Sequence, residues 1–243
     1  MTHSSGNHGA ALAYAAQRRG IPAYVVMPEN SAKVKQDNIR RRGASIRFCA
    51  PTVAARETAC AVVQRETGAT LVHPFDDARV IAGQGTAALE LIDASPELDV
   101  VIAPVGGGGL LSGSSIAVKS LDRSIRVFGA EPANADDAAR SFRSGKIEPL
   151  AASTTIADGL RTTLSPRTLA AIRAGVDAIG TASEAGIIRA MRMTWERMKI
   201  IIEPSAAVPL ACLLEGTLDV HDAAVGIILS GGNVDLDRLP WQV

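Results

Sequence analysis

The 243-residue sequence has no excess of charge of either sign: Lys+Arg and Asp+Glu both number 25, for a formal net charge of zero. That leaves no electrostatic case for nucleic acid or an acidic membrane surface as a partner. No apolar run is long enough to span a bilayer. The opening stretch from Met1 to Gln17 lacks the basic region that precedes the apolar core of a secretory signal. Cysteine is scarce. Cys49, Cys60 and Cys212 are odd in number and widely spaced, and fit neither a disulfide framework nor a zinc knuckle. They are expected to be reduced thiols in a cytoplasmic protein. The apolar neighbours of Cys60 disfavour a nucleophilic role for it. Internal repeats and low-complexity linkers are also missing.

What is present is an alternation of short apolar strands and helices. Hydrophobic residues make up 47% of the chain and charged residues 21%, enough to bury a core. Strands are expected at 21–28, in Ser-Ile-Arg-Phe-Cys-Ala, in Thr-Leu-Val-His-Pro, and in the stretches DVVIAPV, RVFGAEP and AVGIILS. Helices are expected between them: one from an N-cap at Ser31 to Gly43, one ending at Gly68, and one from about Gly83 to Ser95. This pattern predicts an α/β fold with two open parallel-sheet domains, residues 1–76 and 77–243. A cleft between two such domains is a common ligand site. The first glycine turn has almost no strand before it, so the chain is expected to begin inside a domain.

Three glycine turns carry the chemistry. Ser4-Ser5-Gly6-Asn7-His8-Gly9 opens a helix, whose first N–H groups attract anions. The alternative is a plain N-capping turn. Gly106-Gly107-Gly108-Gly109 follows an apolar strand, and its bare N–H groups suit a phosphate. The alternative is a tight loop that needs positive φ. A valine at Gly107 is expected to intrude on the anion site and to be denied positive φ. Ser230-Gly231-Gly232-Asn233 follows a third strand, where a hydroxyl points into the ligand crevice of an open sheet. A dinucleotide fold is the rival, with Glu131 as the ribose acid about twenty residues on. Its glycine spacing fails, because Leu111 and Ser112 stand where the last glycine belongs.

Together the strings THSSGNHGAALA, VIAGQGTAALE, APVGGGGLLSG, AEPANADD, ADGLR, IIEPSAA and LSGGN resemble fold-type II pyridoxal-phosphate enzymes. The match is closest to the serine/threonine dehydratase and serine racemase group and covers essentially the whole chain. The resemblance implies that Asn7 bonds the ring hydroxyl of pyridoxal phosphate. Gly106, Gly107, Gly108 and Gly109, with the N–H of Leu110, would hold its phosphate, and Ser230 would face the pyridine nitrogen. Ser4, Ser5, Gly6, Asn7 and His8 would bind the substrate carboxylate. Ser5 matches the racemase acid/base on the face opposite the lysine. Glu131, Ala135 and Asp137 match a divalent-metal site, for Mg²⁺ or Ca²⁺. Here the alternative is a helix capped by Asn134 and Asp136, with the acids merely solvated. The implied reaction is dehydration of L-serine or L-threonine to a 2-oxo acid and ammonia, with racemisation or hydroxyaspartate dehydration run on the same parts.

One departure bears on activity. The group carries its cofactor lysine upstream of the Ser-Ser-Gly turn, in a Phe-Lys-x-Arg-Gly-like segment. None of Lys33, Lys35, Lys119, Lys146 and Lys199 has that context. The chain on its own is therefore expected to be inactive, as a fragment, a pseudoenzyme or one part of a split protein. The group commonly forms dimers, so a homodimer acting on a small amino acid is the expected assembly.

Overall fold

The structure is a computed structural model that describes residues 1–4, 6–150 and 153–242, with only the backbone of Val53. The chain forms two compact units, 1–74 and 75–243.

Unit 1 has three parallel strands in the order β1 (Thr2–His3), β2 (Tyr24–Pro28) and β3 (Ser45–Cys49). Its helices are α1 (Asn7–Arg19), α2 (Lys33–Arg40) and α3 (Val53–Thr67). Alternation along β2 explains the layering, because successive side chains leave a strand on opposite faces. Val25 and Met27 pack with Ala13, Ala16 and Ile39, whereas Val26 packs with Met1, Cys49, Cys60 and Val63. Gly68 ends α3 in the left-handed region, at φ 67°, as the sequence predicts. All three cysteines are buried and unpaired.

Unit 2 has four parallel strands in the order β6-β5-β4-β7: β4 (Val100–Pro104), β5 (Arg126–Pro132), β6 (Ala178–Ala182) and β7 (Val225–Ile227). Its helices are α4 (Ala78–Ala94), α5 (Gly109–Leu121), α6 (Asp137–Ser144), α7 (Pro166–Gly175), α8 (Glu184–Met198) and α9 (Pro204–Leu214). Every residue of β4 is buried. Val100 and Ile102 join one apolar cluster with Met191 and Ala207. Val101 and Ala103 join another with Leu111 and Ile172. A strand apolar on both faces belongs to the centre of a covered parallel sheet.

Some elements differ from expectation. Thr70 to Pro74 is not a strand; it runs beside Met1, with Val72 N–H donating to the Met1 carbonyl at 2.8 Å and the Met1 amine donating to Thr70 O at 2.7 Å. β1 is too short to extend that pairing into a ladder. α2 starts at Lys33 rather than just after Ser31, and α4 starts five residues before Gly83. Asp77 sets the α4 start by accepting the Arg79 N–H at 2.8 Å.

Candidate functional site

In unit 1, β1 hands over at His3 to the first glycine turn. The Ser4 hydroxyl accepts the Gly6 N–H at 3.3 Å, and α1 begins at Asn7 with Gly6 as an N-cap that makes no side-chain cap. The turn is therefore not a capping box. A Cβ on Gly9 would run into the Ser4 carbonyl, so glycine lets the helix start close against the turn. Ser5 lies outside the described residues.

Basic groups gather around this turn. The His3 and His73 rings meet edge to face, centroids 4.9 Å apart. His8 Nε2 lies 3.3 Å from the Val72 carbonyl. Burial pushes His3 down to about 4, helped by the charges of His73, Arg56 and His8. Burial also lowers His8. His3 Nδ1 and Arg56 Nε are both buried without a hydrogen-bond partner. Sequence reasoning carried His73 only within the string HPFDD (His73 to Asp77), which also resembles dehydratases, and gave His3 and Arg56 no role of their own. The three come from β1, from α3 and from the segment 70–74, and nothing in the sequence hints that they converge.

In unit 2, β4 leads into the four glycines. Gly108 is the N-cap of α5 at φ 85°, and no side chain caps that helix. Its first N–H groups are thus left to backbone geometry alone, the arrangement that attracts anions. Only Gly108 of the four has positive φ. The other three answer to packing. A Cβ on Gly106 would stand 3.0 Å from Leu160 Cα, one on Gly109 would stand 2.9 Å from Phe75 Cα, and one on Gly107 would enter the Phe75 ring. The expectation for Gly107 is corrected accordingly: a valine there collides with Phe75, and positive φ is not at stake. Leu110 is half-buried on the first turn of α5.

Ser230 is half-buried three residues beyond β7. The Gly231 carbonyl accepts the Glu203 N–H at 3.0 Å. Asn233 Nδ2 is buried without a partner.

Glu131 and Asp137 are both fully buried. Glu131 Oε1 and Oε2 accept the N–H groups of Ala138 (2.9 Å) and Ala139 (2.8 Å), so Glu131 caps α6 from the adjoining strand. Neither carboxylate oxygen of Asp137 has a partner. Burial raises Glu131 to about 8, against those two N–H bonds, and raises Asp137 to about 6. Ala135 is buried in the short 3₁₀ turn between them. The acids are thus not solvated, and the cap comes from Glu131 rather than Asn134 or Asp136, neither of which caps α6. Among the described residues no group of three or more His, Cys, Asp or Glu side chains is placed to hold a metal.

The cysteines are poor nucleophiles: burial raises all three thiols, Cys212 to about 11. Among the described residues, no helix is long and apolar enough to cross a membrane.

The family model described as pyridoxal-phosphate dependent enzyme matches residues 1–231. The β-hydroxyaspartate dehydratase of Paracoccus denitrificans (strain Pd 1222) is 49% identical over 241 residues, covering 99% of this chain and 76% of that protein. The structure of maize serine racemase superposes with a TM-score of 0.94 at 45% identity, over 97% of this chain and 73% of the other. The threonine deaminase of T.th. superposes with a TM-score of 0.91 at 44% identity, over 98% of this chain and 78% of the other.

Proposed function

The chain belongs to the pyridoxal-phosphate-dependent enzyme family, and from that premise we propose that its site serves dehydration of L-serine or L-threonine to a 2-oxo acid and ammonia. The observation that carries this reading is the glycine turn ahead of α5, whose helix N-terminus no side chain caps. A phosphate fits there, held by the N–H groups from Gly106 to Leu110. Asn7 would orient the ring hydroxyl, and Ser230, a neutral hydroxyl, would face the pyridine nitrogen. The bound cofactor supplies an electron sink for the pair left at Cα when its proton departs. The turn from Ser4 to His8 would hold the substrate carboxylate through N–H and hydroxyl donors. Ser5 would stand as acid/base on one face of Cα.

The proton on the other face needs a lysine. Lys119 in unit 2 is already committed: its Nζ donates to Ile125 O at 2.8 Å and pairs with Asp177 at 3.0 Å. In this reading the 243 residues alone bind cofactor and substrate but do not turn over.

We propose a divalent ion at the acidic pair; what supports it is the Asp137 carboxylate, buried with neither oxygen partnered. Asp137, Glu131 and the Ala135 carbonyl would supply hard oxygen ligands for Mg²⁺ or Ca²⁺. The family resemblance adds a cytoplasmic homodimer to the reading.

A second substrate is favoured by one observation. Arg56 leaves a buried Nε unpartnered and acts electrostatically on His3, next to the carboxylate turn. A substrate with a second carboxylate, such as β-hydroxyaspartate, would satisfy that charge. The test is titration of the chain with pyridoxal phosphate by absorbance, followed by L-serine, L-threonine and β-hydroxyaspartate with 2-oxo acid release as the readout. Cofactor binding, substrate-induced spectral change and only trace release are expected. Added ethylamine, a free amine in place of the lysine, should raise the release. Absence of cofactor binding would end the reading, and preference for serine over β-hydroxyaspartate would end the second one.

A further inference from the structure

Two of the turns in unit 2 are tied to one short stretch, Glu203 to Ser205 at the start of α9. On one side the Glu203 N–H donates to the Gly231 carbonyl at 3.0 Å, next to Ser230. On the other side the Ser205 hydroxyl accepts the Gly159 N–H at 3.1 Å. Gly159 lies in the 3₁₀ turn Asp158–Leu160, whose backbone abuts Gly106. A Cβ on Gly106 would stand 3.0 Å from Leu160 Cα and 3.2 Å from the Gly159 carbonyl. The joint is closed on the Ser205 side, where Ser205 is 3% exposed, and open on the Gly159 side, where the 3₁₀ turn meets solvent. It is also tight, since a Cβ on Gly159 would stand 2.9 Å from Ser205 Oγ.

We infer that Ser205 is a positioning residue: through the Gly159 amide it sets the backbone against which the Gly106–Gly109 turn rests, and so the grip of that turn on the cofactor phosphate. The inference rests on the assignment of that turn to the phosphate. The physical reason is the asymmetry of hydrogen bonding. Without the hydroxyl, the Gly159 N–H loses its protein partner and turns to water, and the 3₁₀ turn loses its tie to the start of α9. The turn passes so close to Gly106 that not even a Cβ would fit between them, so a movement of one bears on the other.

The test compares pyridoxal phosphate with pyridoxal, which lacks the phosphate, in equilibrium binding to the unmodified chain, Ser205→Ala and Gly159→Ala. The melting temperature without cofactor and the ³¹P resonance of bound pyridoxal phosphate complete the set. Pyridoxal phosphate should bind about tenfold more weakly to either variant, the worth of one hydrogen bond. Pyridoxal affinity should not change, and the ³¹P resonance should move. The double variant should bind no more weakly than either single one, because both changes break the same joint. If Ser205→Ala does not fold, Gly159→Ala carries the test. Equal losses for both ligands, with a lowered melting temperature and an unmoved resonance, would make Ser205 part of the scaffold only and overturn the inference. Undiminished pyridoxal phosphate binding in both variants would overturn it as well. If the unmodified chain binds neither compound, the cofactor reading itself fails and the inference falls with it.

Discussion

Unit 1 and unit 2 each place a glycine turn between a parallel strand and a helix, yet they leave opposite charges unbalanced. In unit 1 the misfit groups are basic: His3 Nδ1 and Arg56 Nε are buried without partners. In unit 2 they are acidic: both Asp137 oxygens are buried and unpartnered, and burial raises the neighbouring Glu131 to about 8. Burying an uncompensated charge is costly, so such groups mark where a counter-charge is missing. Burial answers the imbalance by favouring the uncharged forms, of His3 in unit 1 and of Glu131 and Asp137 in unit 2. The turns differ in the same spirit. Ser4 to His8 offers polar side chains, whereas Gly106 to Gly109 offers only backbone.

The sharpest way to break this contrast is to add one methyl group to unit 2. Gly108 needs positive φ, and its Cβ would stand 2.7 Å from Leu164 Cδ2 and 2.9 Å from Thr168 Cβ. The left-handed backbone and the overpacking together predict a loss of about 3 kcal/mol for Gly108→Ala. Denaturant unfolding of unit 2 measures it; a loss under about 1 kcal/mol would mean that the turn is looser than its packing.

The acidic pair sharpens the contrast at the next level. Glu131→Ala removes two bonds that cap α6 and should cost about 2 kcal/mol. Asp137→Ala removes a buried carboxylate whose oxygens have no partner, and should stabilise the ion-free chain by about 1 kcal/mol or more near neutral pH. Mg²⁺ or Ca²⁺ should raise the melting temperature of the unmodified chain and of neither variant. A response that survives in both variants would remove the metal assignment. The Asp137 variant, which keeps both Glu131 bonds, separates ion binding from simple loss of the fold.

Much of the fold was legible because burial on both faces leaves a plain mark. Val100 to Pro104 and Tyr24 to Pro28 read as strands from their β-branched runs, and both sheets are parallel as that pattern implies. β6 was not legible: in Ala-Ile-Gly-Thr-Ala the strand-favouring Ile179 and Thr181 are separated by Gly180 and flanked by alanines, so no apolar run forms, and the strand depends on pairing with β5. The site was legible only where a backbone motif carried it. The glycines announced a turn ahead of α5, but only tertiary packing shows that Phe75 dictates Gly107 and Gly109. Arg56 and His3 come from different elements, and no spacing in the chain links them. The capping role of Glu131 was hidden for the same reason.

In unit 1 the corresponding effect is a pH dependence. His3 is pushed from the ordinary 6.5 to about 4, so the unfolded chain binds its proton more tightly than the folded one. Stability is then fully present above about 6.5 and is lost as pH falls through 4. His3 keeps some solvent contact, which discounts the effect to about 1 kcal/mol. Unfolding free energies measured from pH 7 to pH 4 should fall for the unmodified chain and fall less for His3→Gln. Equal slopes would show that His3 is not held neutral by its surroundings.

The smallest expected effect is the most discriminating. Gly6 holds the same place before α1 that Gly108 holds before α5, but its φ is −113° and a Cβ there would meet nothing within 4 Å. Gly6→Ala therefore costs neither left-handed strain nor a clash. It loses only the modest preference of an N-cap for glycine over alanine, about 0.5 kcal/mol. Its consequence should instead fall on binding, because the methyl group narrows the approach to the N–H groups of Asn7 and His8, where a carboxylate would rest. Stability of Gly6→Ala and affinity for an amino acid substrate, measured on one preparation, should therefore part company: the first nearly unchanged, the second reduced. If Gly6→Ala destabilises unit 1 as much as Gly108→Ala destabilises unit 2, both glycines serve the fold alike, and the division into a side-chain turn and a backbone turn is wrong.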